Sequence, residues 1–191
     1  MKRMIVVAAL MLVASAAYAQ EDAETQSSFN VGISGVFSDY SGDSSFPVED
    51  SSLGLAFHAQ AKANKWFGAE IGYYNSGTFS SNIDPNSNRE TDITLSGFNI
   101  SVLGFFPIFQ DSEYDFDLFG RVGLYDYDIK LTQQQGSSNV PSSLGQSVGA
   151  FLGAGFVMNI TENIGFRAEL QGYEIDNADL FSLNLGIQIG F

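Results

Sequence analysis

Cysteine is absent from the 191 residues, which excludes disulfides, thiolate metal sites and a lipid anchor carried on cysteine. Histidine occurs once, at His58, so a histidine-based metal centre is excluded and at most one imidazole base is available. Positive charge is scarce: 8 Lys and Arg stand against 22 Asp and Glu, for a formal charge of −14. Such a surface repels DNA, RNA and sulfated polysaccharides, so no nucleic-acid partner is expected. Long apolar runs are missing except at the start, where Lys2 and Arg3 precede a stretch from Met4 to Ala17 and an Ala17-Tyr18-Ala19 site. The pattern is that of a cleavable secretory signal peptide, and the run is short for a helix of about 20 residues across a bilayer. Residues 1–19 are therefore read as a signal peptide and residues 20–191 as one domain. Cleavage removes two bases and no acid, leaving 6 bases, 22 acids and a charge of −16. An exported chain without a second apolar helix is destined for a soluble compartment or for a membrane it crosses with strands.

What the sequence has in quantity is aromatic residues, at 14%, and glycine, at 20 positions, a composition that favours strands over helices. The final run, LFSLNLGIQIGF, sets Phe181, Leu183, Leu185, Ile187, Ile189 and Phe191 on one parity and Ser182, Asn184, Gly186, Gln188 and Gly190 on the other. Successive side chains of an extended chain point to opposite sides, so this is a two-faced strand. Seven further segments alternate in the same way. The eight strands are expected near Ser28 to Asp39, Leu53 to Ala63, Phe67 to Asn75, Asp92 to Phe106, Phe116 to Lys130, Leu144 to Asn159, Ile164 to Glu174 and Leu180 to Phe191. Tight connections (64–66 and 160–163) and a moderate one (107–115) alternate with polar stretches such as SGDSSFPVEDSS, SGTFSSNIDPNSNRET and LTQQQGSSNVPSS. Short turns at one end and long loops at the other describe an all-β, eight-stranded antiparallel up-and-down barrel.

The two parities decide which face is inside. A soluble barrel buries its apolar parity and coats the other with Lys and Glu. Here the polar parity is Gly, Ser, Asn and Gln, as at Asn30, Gly32 and Ser34 or Gly149, Gly153 and Gly155. The apolar parity runs unbroken through Phe29, Val31, Ile33 and Phe37, through Val148 to Met158, and through Ile164 to Leu170. Ten residue steps from Phe181 to Phe191, tilted by about 45°, cover roughly 24 Å, close to the lipid-facing band of a transmembrane barrel. The apolar face is expected to meet lipid, with girdles of Trp66, Phe67, Phe106, Phe109 and Phe116 at the short-turn end and Tyr40, Tyr73, Tyr74 and Tyr125 toward the long loops.

On these features the sequence resembles the OmpA-type family of small, porin-like outer-membrane β-barrels, over essentially the whole of residues 20–191. The resemblance implies a bacterial outer-membrane location in a Gram-negative cell, with lipid and lipopolysaccharide as surroundings and the outer-membrane assembly machinery as a partner. It also implies an insertion signal of pattern polar-x-Gly-x-x-apolar-x-aromatic in the last strand, which Asn184, Gly186, Ile189 and Phe191 match. No peptidoglycan-binding domain is read after the barrel, so cell-wall tethering is not carried over.

The lumen-facing parity holds His58, Gln60, Lys62, Glu70, Arg121, Arg167, Glu169 and Gln171. An eight-stranded barrel is just wide enough for side chains to fill it. Lys62, Glu70, Arg121, Arg167 and Glu169 are therefore expected to form a luminal network of ion pairs. Pairing across the turns sets Gln60 opposite Glu70, Gly155 opposite Arg167 and Gly153 opposite Glu169. No His-x-Ser run and no serine beside His58 supplies a nucleophile, so no enzyme, catalytic residue, metal site or cofactor is expected. Glycines 149–155 lack a following Gly-Lys-Ser/Thr and are packing positions in a strand. The outer loops carry Asp39, Asp43, Glu49, Asp50, Asp84, Glu90, Asp92, Asp126, Asp128, Glu174, Asp176 and Asp179 against Arg89 and Lys130. The reading is a monomeric, non-enzymatic surface structural or adhesin-like protein whose acidic loops attract cationic host or envelope proteins. A narrow passive pore and a lipid-modifying barrel enzyme are the alternatives.

Overall fold

The computed structural model describes residues 28–42, 49–84, 89–111, 114–135, 138–175 and 178–191, with side chains over 28–40, 51–79, 94–109, 115–128, 147–174 and 180–191. Residues 1–19, read as the signal peptide, lie outside them. Eight strands follow one another: β1 (Ser28–Gly42), β2 (Glu49–Lys62), β3 (Phe67–Asp84), β4 (Arg89–Asp111), β5 (Tyr114–Gln135), β6 (Ser138–Asn159), β7 (Ile164–Ile175) and β8 (Ala178–Gly190). Each pairs antiparallel with its sequence neighbours, and β8 returns to β1 from Asn30↔Gly190 to Gly42↔Ala178. The closed ring leaves no unpaired edge within the wall, the condition for crossing a bilayer with strands.

Alternation sorts the side chains as the sequence predicts. Phe37, Leu53, Phe98, Val122, Leu152, Leu170 and Phe181 stand outward and exposed, while Asn30, Ser34, Gln60, Glu70, Arg121, Arg167, Glu169 and Gln188 are buried. A surface this apolar would be a liability in water and is the natural face toward lipid.

The strands run further than the alternating pattern suggests, and mainly at the long-loop end. Strands β3 to β6 hold 18, 23, 22 and 22 residues, against 12 to 15 in β7, β8, β1 and β2. Residues 76–84, 89–91, 131–135 and 138–143 are thus strand where loop is expected. At the other end the 107–115 connection is also tighter, because pairing continues to Asp111↔Tyr114 past an irregularity between Pro107 and Phe109.

A bulge explains the early end of the third alternating segment. The β3–β4 register shifts between Asn75 and Thr78, with Gly77 at φ 84° and its N–H donating to Asn75 Oδ1 at 2.8 Å. A Cβ at Gly77 would lie 2.2 Å from Leu53 O, so close approach and positive φ both require glycine. Tyr74 and Ser76 face the lumen before the bulge, and Phe79, of opposite parity, faces it afterwards.

The two tight turns share one construction. Ala63 and Asn64 N–H groups donate to Phe67 O, and Asn64 Oδ1 accepts from the N–H groups of Trp66 and Phe67. Likewise Ile160 and Thr161 N–H groups donate to Ile164 O, and Thr161 Oγ1 accepts from Asn163 and Ile164. The first turn sets Gln60 opposite Glu70, as expected. The second corrects the expected β6–β7 register by two residues, since 161–163 stand outside the ladder. Val157, not Gly155, pairs with Arg167, and Gly155, not Gly153, pairs with Glu169.

Candidate functional site: the filled lumen

Four charged side chains meet in the middle of the lumen: Glu70 from β3, Arg121 from β5, and Arg167 and Glu169 from β7. Arg121 Nη1 donates to Glu70 Oε1 at 2.6 Å, and Arg167 Nη1 to Glu70 Oε2 at 2.5 Å. Arg167 Nη2 donates to Glu169 Oε2 at 2.7 Å, and Arg121 Nη1 lies 3.3 Å from Glu169 Oε1. Asn99 Oδ1 on β4 accepts from Arg121 Nη2 at 3.0 Å. Their charges cancel. Burying an ion costs several kcal/mol, and only mutual pairing with good hydrogen bonds offsets that cost. Gly153 supplies the space, because a Cβ there would lie 2.5 Å from Glu169 Oε1 and 2.9 Å from Arg121 Cγ.

Lys62 stands apart from this quartet and corrects the expected network of five. Its Nζ pairs with Asp117 Oδ2 at 2.7 Å and lies 4.3 Å from the Phe105 ring centre. Asp117 and Asn99 belong to no motif in the sequence. Both share the inward parity of their strands, with Arg121 on β5 and Leu103 on β4, and that signal alone would have found them.

Order along β5 shows how the lumen is filled. From the short-turn end it presents Asp117, Phe119, Arg121, Tyr125 and Tyr127 inward. Phe119 joins Leu103, Phe105 and Val157 in one buried apolar layer below the quartet. Tyr125 and Tyr127 join Tyr74, Phe151 and Tyr173 above it, in a cluster that continues to Val36, Phe79, Leu95 and Leu180. The Arg167 guanidinium lies 4.6 Å from the lower Phe119 ring, and that of Arg121 lies 4.6 Å from the upper Phe151 ring. The quartet is thus held between two aromatic layers.

Tyr74 and Tyr125, expected in an outer girdle, are corrected to this inner layer. Tyr74 shares a 2.8 Å hydrogen bond with Ser38, and Tyr125 OH donates to Glu174 O at 2.7 Å. Tyr40 also turns inward, packing on Phe79. Of the four tyrosines only Tyr73 keeps the outward parity, edge-on to Phe98 at 5.2 Å. The three inward rings each have a polar partner or ring neighbour inside, which the parity of Tyr74 and Tyr125 requires and their position near the loops obscures. At the short-turn end Trp66, Phe67, Phe106 and Phe109 do stand outward.

His58, Gln60 and Gln171 face the lumen, with the His58 ring lying over Gly32. Of the four residues matched to the insertion pattern, Asn184 is buried inward, Gly186 packs against Ile33 O and Ser34, and Ile189 and Phe191 stand outward. Phe191 N–H donates to Phe29 O at 2.8 Å, extending the β1–β8 seam. At the loop end Asp39 and Glu174 are exposed and Asp126 and Asp128 half-buried. Asp43, Glu49, Asp50, Asp84, Arg89, Glu90, Asp92, Lys130, Asp176 and Asp179 lie outside the residues with described side chains.

A closed eight-stranded wall, apolar outside and filled within, defines a small transmembrane β-barrel. Residues 5–191 match the model of the outer membrane protein beta-barrel domain family, and the chain belongs to it as a protein of the bacterial outer membrane. Among solved structures it is similar to Ail, the attachment invasion locus protein of Yersinia pestis, in complex with the heparin analogue sucrose octasulfate. Identity is 17% over 86% of this chain and 99% of that one, with a TM-score of 0.61. It is also similar to Neisserial surface protein A, at 18% identity over 85% and 97% of the two chains and a TM-score of 0.56. These likenesses establish the fold. No protein of curated function matches the sequence.

Proposed function

We propose that this barrel is a non-enzymatic surface-interaction protein, in which the filled wall is an anchor and the outward extension of β3 to β6 is the contact surface. The unequal strand lengths carry this reading. Pairing of β4 with β5 continues to Arg89↔Gln135 and of β5 with β6 to Gln135↔Ser138, whereas the β6–β7 ladder begins only at Phe151↔Tyr173. A four-stranded sheet therefore stands beyond its neighbours at the long-loop end, which faces the outside in barrels of this type. Ail, by its name, serves attachment and invasion, and Neisserial surface protein A is a surface protein. Their names support a role at the cell surface for this chain too.

The partner class follows from charge. With 22 acids and 8 bases, and twelve of those acids in the sequence of the outer loops, the extension favours basic protein patches over polyanions. In this it differs from the ligand of Ail, a heparin analogue. The refolded barrel should bind an immobilised cationic protein and pass over heparin at low salt, with both effects weakening at physiological salt, where the Debye length is about 8 Å. Tight heparin binding without divalent cation would overturn this choice of partner. The luminal quartet is read as a structural plug, and Asn184, Gly186, Ile189 and Phe191 as the signal for the assembly machinery. Unchanged lipid A mass in cells overproducing the protein is the check on its being no enzyme.

A further inference from the structure

Four tyrosines inside the upper aromatic layer form an unbroken chain of ring contacts. Between ring centres, Tyr127 lies 4.9 Å from Tyr125, Tyr125 lies 5.0 Å from Tyr173, and Tyr173 lies 5.0 Å from Tyr74. The chain starts on β5 toward the long loops, crosses to β7 and ends on β3. Each of the four is 4% exposed, too little for a dissolved molecule to attack the inner members. Phe151 and Phe79 fill the same layer without a hydroxyl, so what tyrosine adds here is chemistry as well as packing. A phenol gives up an electron far more readily than a plain benzene ring, and rings in van der Waals contact pass the resulting vacancy from one to the next.

We propose that these tyrosines are an oxidation relay, which carries electron vacancies inward from Tyr127 and ends in a covalent cross-link between Tyr74 and Tyr173. Position selects that end. Tyr74 closes the chain, so a first vacancy comes to rest there and a second arrives beside it on Tyr173. Orientation selects it as well, because coupled phenols are joined edge to edge with a twist between their planes. Tyr74 and Tyr173 are inclined by 37°, whereas Tyr125 and Tyr127 are stacked at 24° and Tyr125 stands at 78° to Tyr173. Hydrogen bonding completes the case. An oxidised phenol is a strong acid, and each partner has an oxygen to receive its proton: Tyr173 OH donates to Gln171 Oε1, and Tyr74 OH shares a 2.8 Å hydrogen bond with Ser38 Oγ. The coupling consumes two equivalents of a one-electron oxidant, a radical species arriving from the loop side. Each phenol loses one electron to the oxidant and one proton, which passes through its hydrogen-bond partner to solvent. The two phenoxyl radicals form one carbon–carbon bond between ring positions ortho to their hydroxyls, and the hydrogens displaced there return to the oxygens. The product is two joined phenols that tie β3 to β7. The site is independent of the surface role proposed above, since it involves no loop.

Photo-oxidation of the refolded full barrel in detergent tests both the relay and its end. The probe is a ruthenium(III) bipyridine complex generated by light with persulfate, a one-electron oxidant too large to enter the filled lumen. Trypsin cleaves after Lys65, Arg89 and Arg167, so Tyr74 leaves in peptide 66–89 and Tyr173 in peptide 168–191. Mass spectrometry of the monomer band should find these two peptides joined with the loss of two hydrogens, the bond lying at Tyr74 and not at outward Tyr73. Closing a loop of roughly a hundred residues also restrains the unfolded chain, so the linked species should run ahead of the unoxidised chain after boiling. Tyr125→Phe keeps both partners and removes a stepping stone, and should lower the cross-link several-fold. Tyr127→Phe, at the entry, should do the same. The fast-migrating unheated band shows which variants close. Absence of the link between the two peptides, or a dominant link from Tyr125 to Tyr173, would overturn the assigned end. An undiminished cross-link in a closed Tyr125→Phe or Tyr127→Phe barrel would overturn the relay. If neither variant closes, the wild-type peptide map still decides.

Discussion

Arg167 and Glu70 stand 97 residues apart in the sequence and meet across the lumen at 2.5 Å, joining β7 to β3 through the interior of the barrel. No backbone hydrogen bond links those two strands, so this contact ties opposite walls together.

Breaking one side of that tie should cost more than removing both. Arg167→Met leaves Glu70 and Glu169 sharing Arg121 alone and is expected to destabilise by about 3–5 kcal/mol. Adding Glu70→Gln restores charge balance and should recover part of the loss. Urea unfolding followed by Trp66 fluorescence in detergent measures both, and equal losses in the single and double variants would show that charge balance is irrelevant.

Conductance separates an anchor from a pore. The wild type is expected to be silent in planar bilayers, and the Arg167→Ala, Glu169→Ala double variant nearly so, because the tyrosine layer and the Phe105–Phe119 layer still close the lumen on either side. Adding Phe119→Ala and Tyr173→Ala should open a measurable path. Steady wild-type conductance would place the passive pore first.

The bulge in β3 gives a sharper stability test. Gly77→Ala meets Leu53 O and must hold a positive φ, so a loss of about 1–3 kcal/mol is expected. Phe79→Ala, which empties the cap that the bulge fills, should cost about 3–5 kcal/mol. Thermal loss of the fast-migrating unheated band on gels reports both. A Gly77→Ala barrel as stable as the wild type would show that β3 can rearrange there at no cost.

Recognition by the assembly machinery and closure of the seam need separate readouts. Any side chain at Gly186 collides with Ile33 O at 2.2 Å, so its variants should fail both in cells and in detergent refolding. Phe191→Ser points outward and should refold in detergent while inserting poorly in cells. Equal insertion of the wild type and Phe191→Ser in cells would make the pattern match coincidental.

Parity made the wall, its lipid face and most of the luminal charges legible from the sequence, because period-two alternation depends only on the extended backbone. What it could not carry was register and distance. A turn residue such as Thr161 decides whether 161–163 stand inside or outside the ladder, and the β6–β7 pairing moves by two with it. Phe79 was hidden by a single-residue change of phase at Ser76–Gly77. Tyr74 and Tyr125 lie near the loops, where position along a strand suggests a girdle and parity alone says that they face inward. Lys62 shares the inward parity of the quartet, yet its height on β2 brings it to Asp117.

The meeting of β1 with β8 also constrains time. Asn30 finds Gly190 only after the strands between them have been made, so the ring remains open until β8 arrives. Until then Glu70, Arg121, Arg167 and Glu169 must stay hydrated, and two ladder edges stay unpaired, neither of which a hydrocarbon layer tolerates. Entry into the bilayer and closure of the ring are therefore a single kinetic event for this molecule, and an agent that shields the seam beforehand would act on its folding rate without altering its final stability.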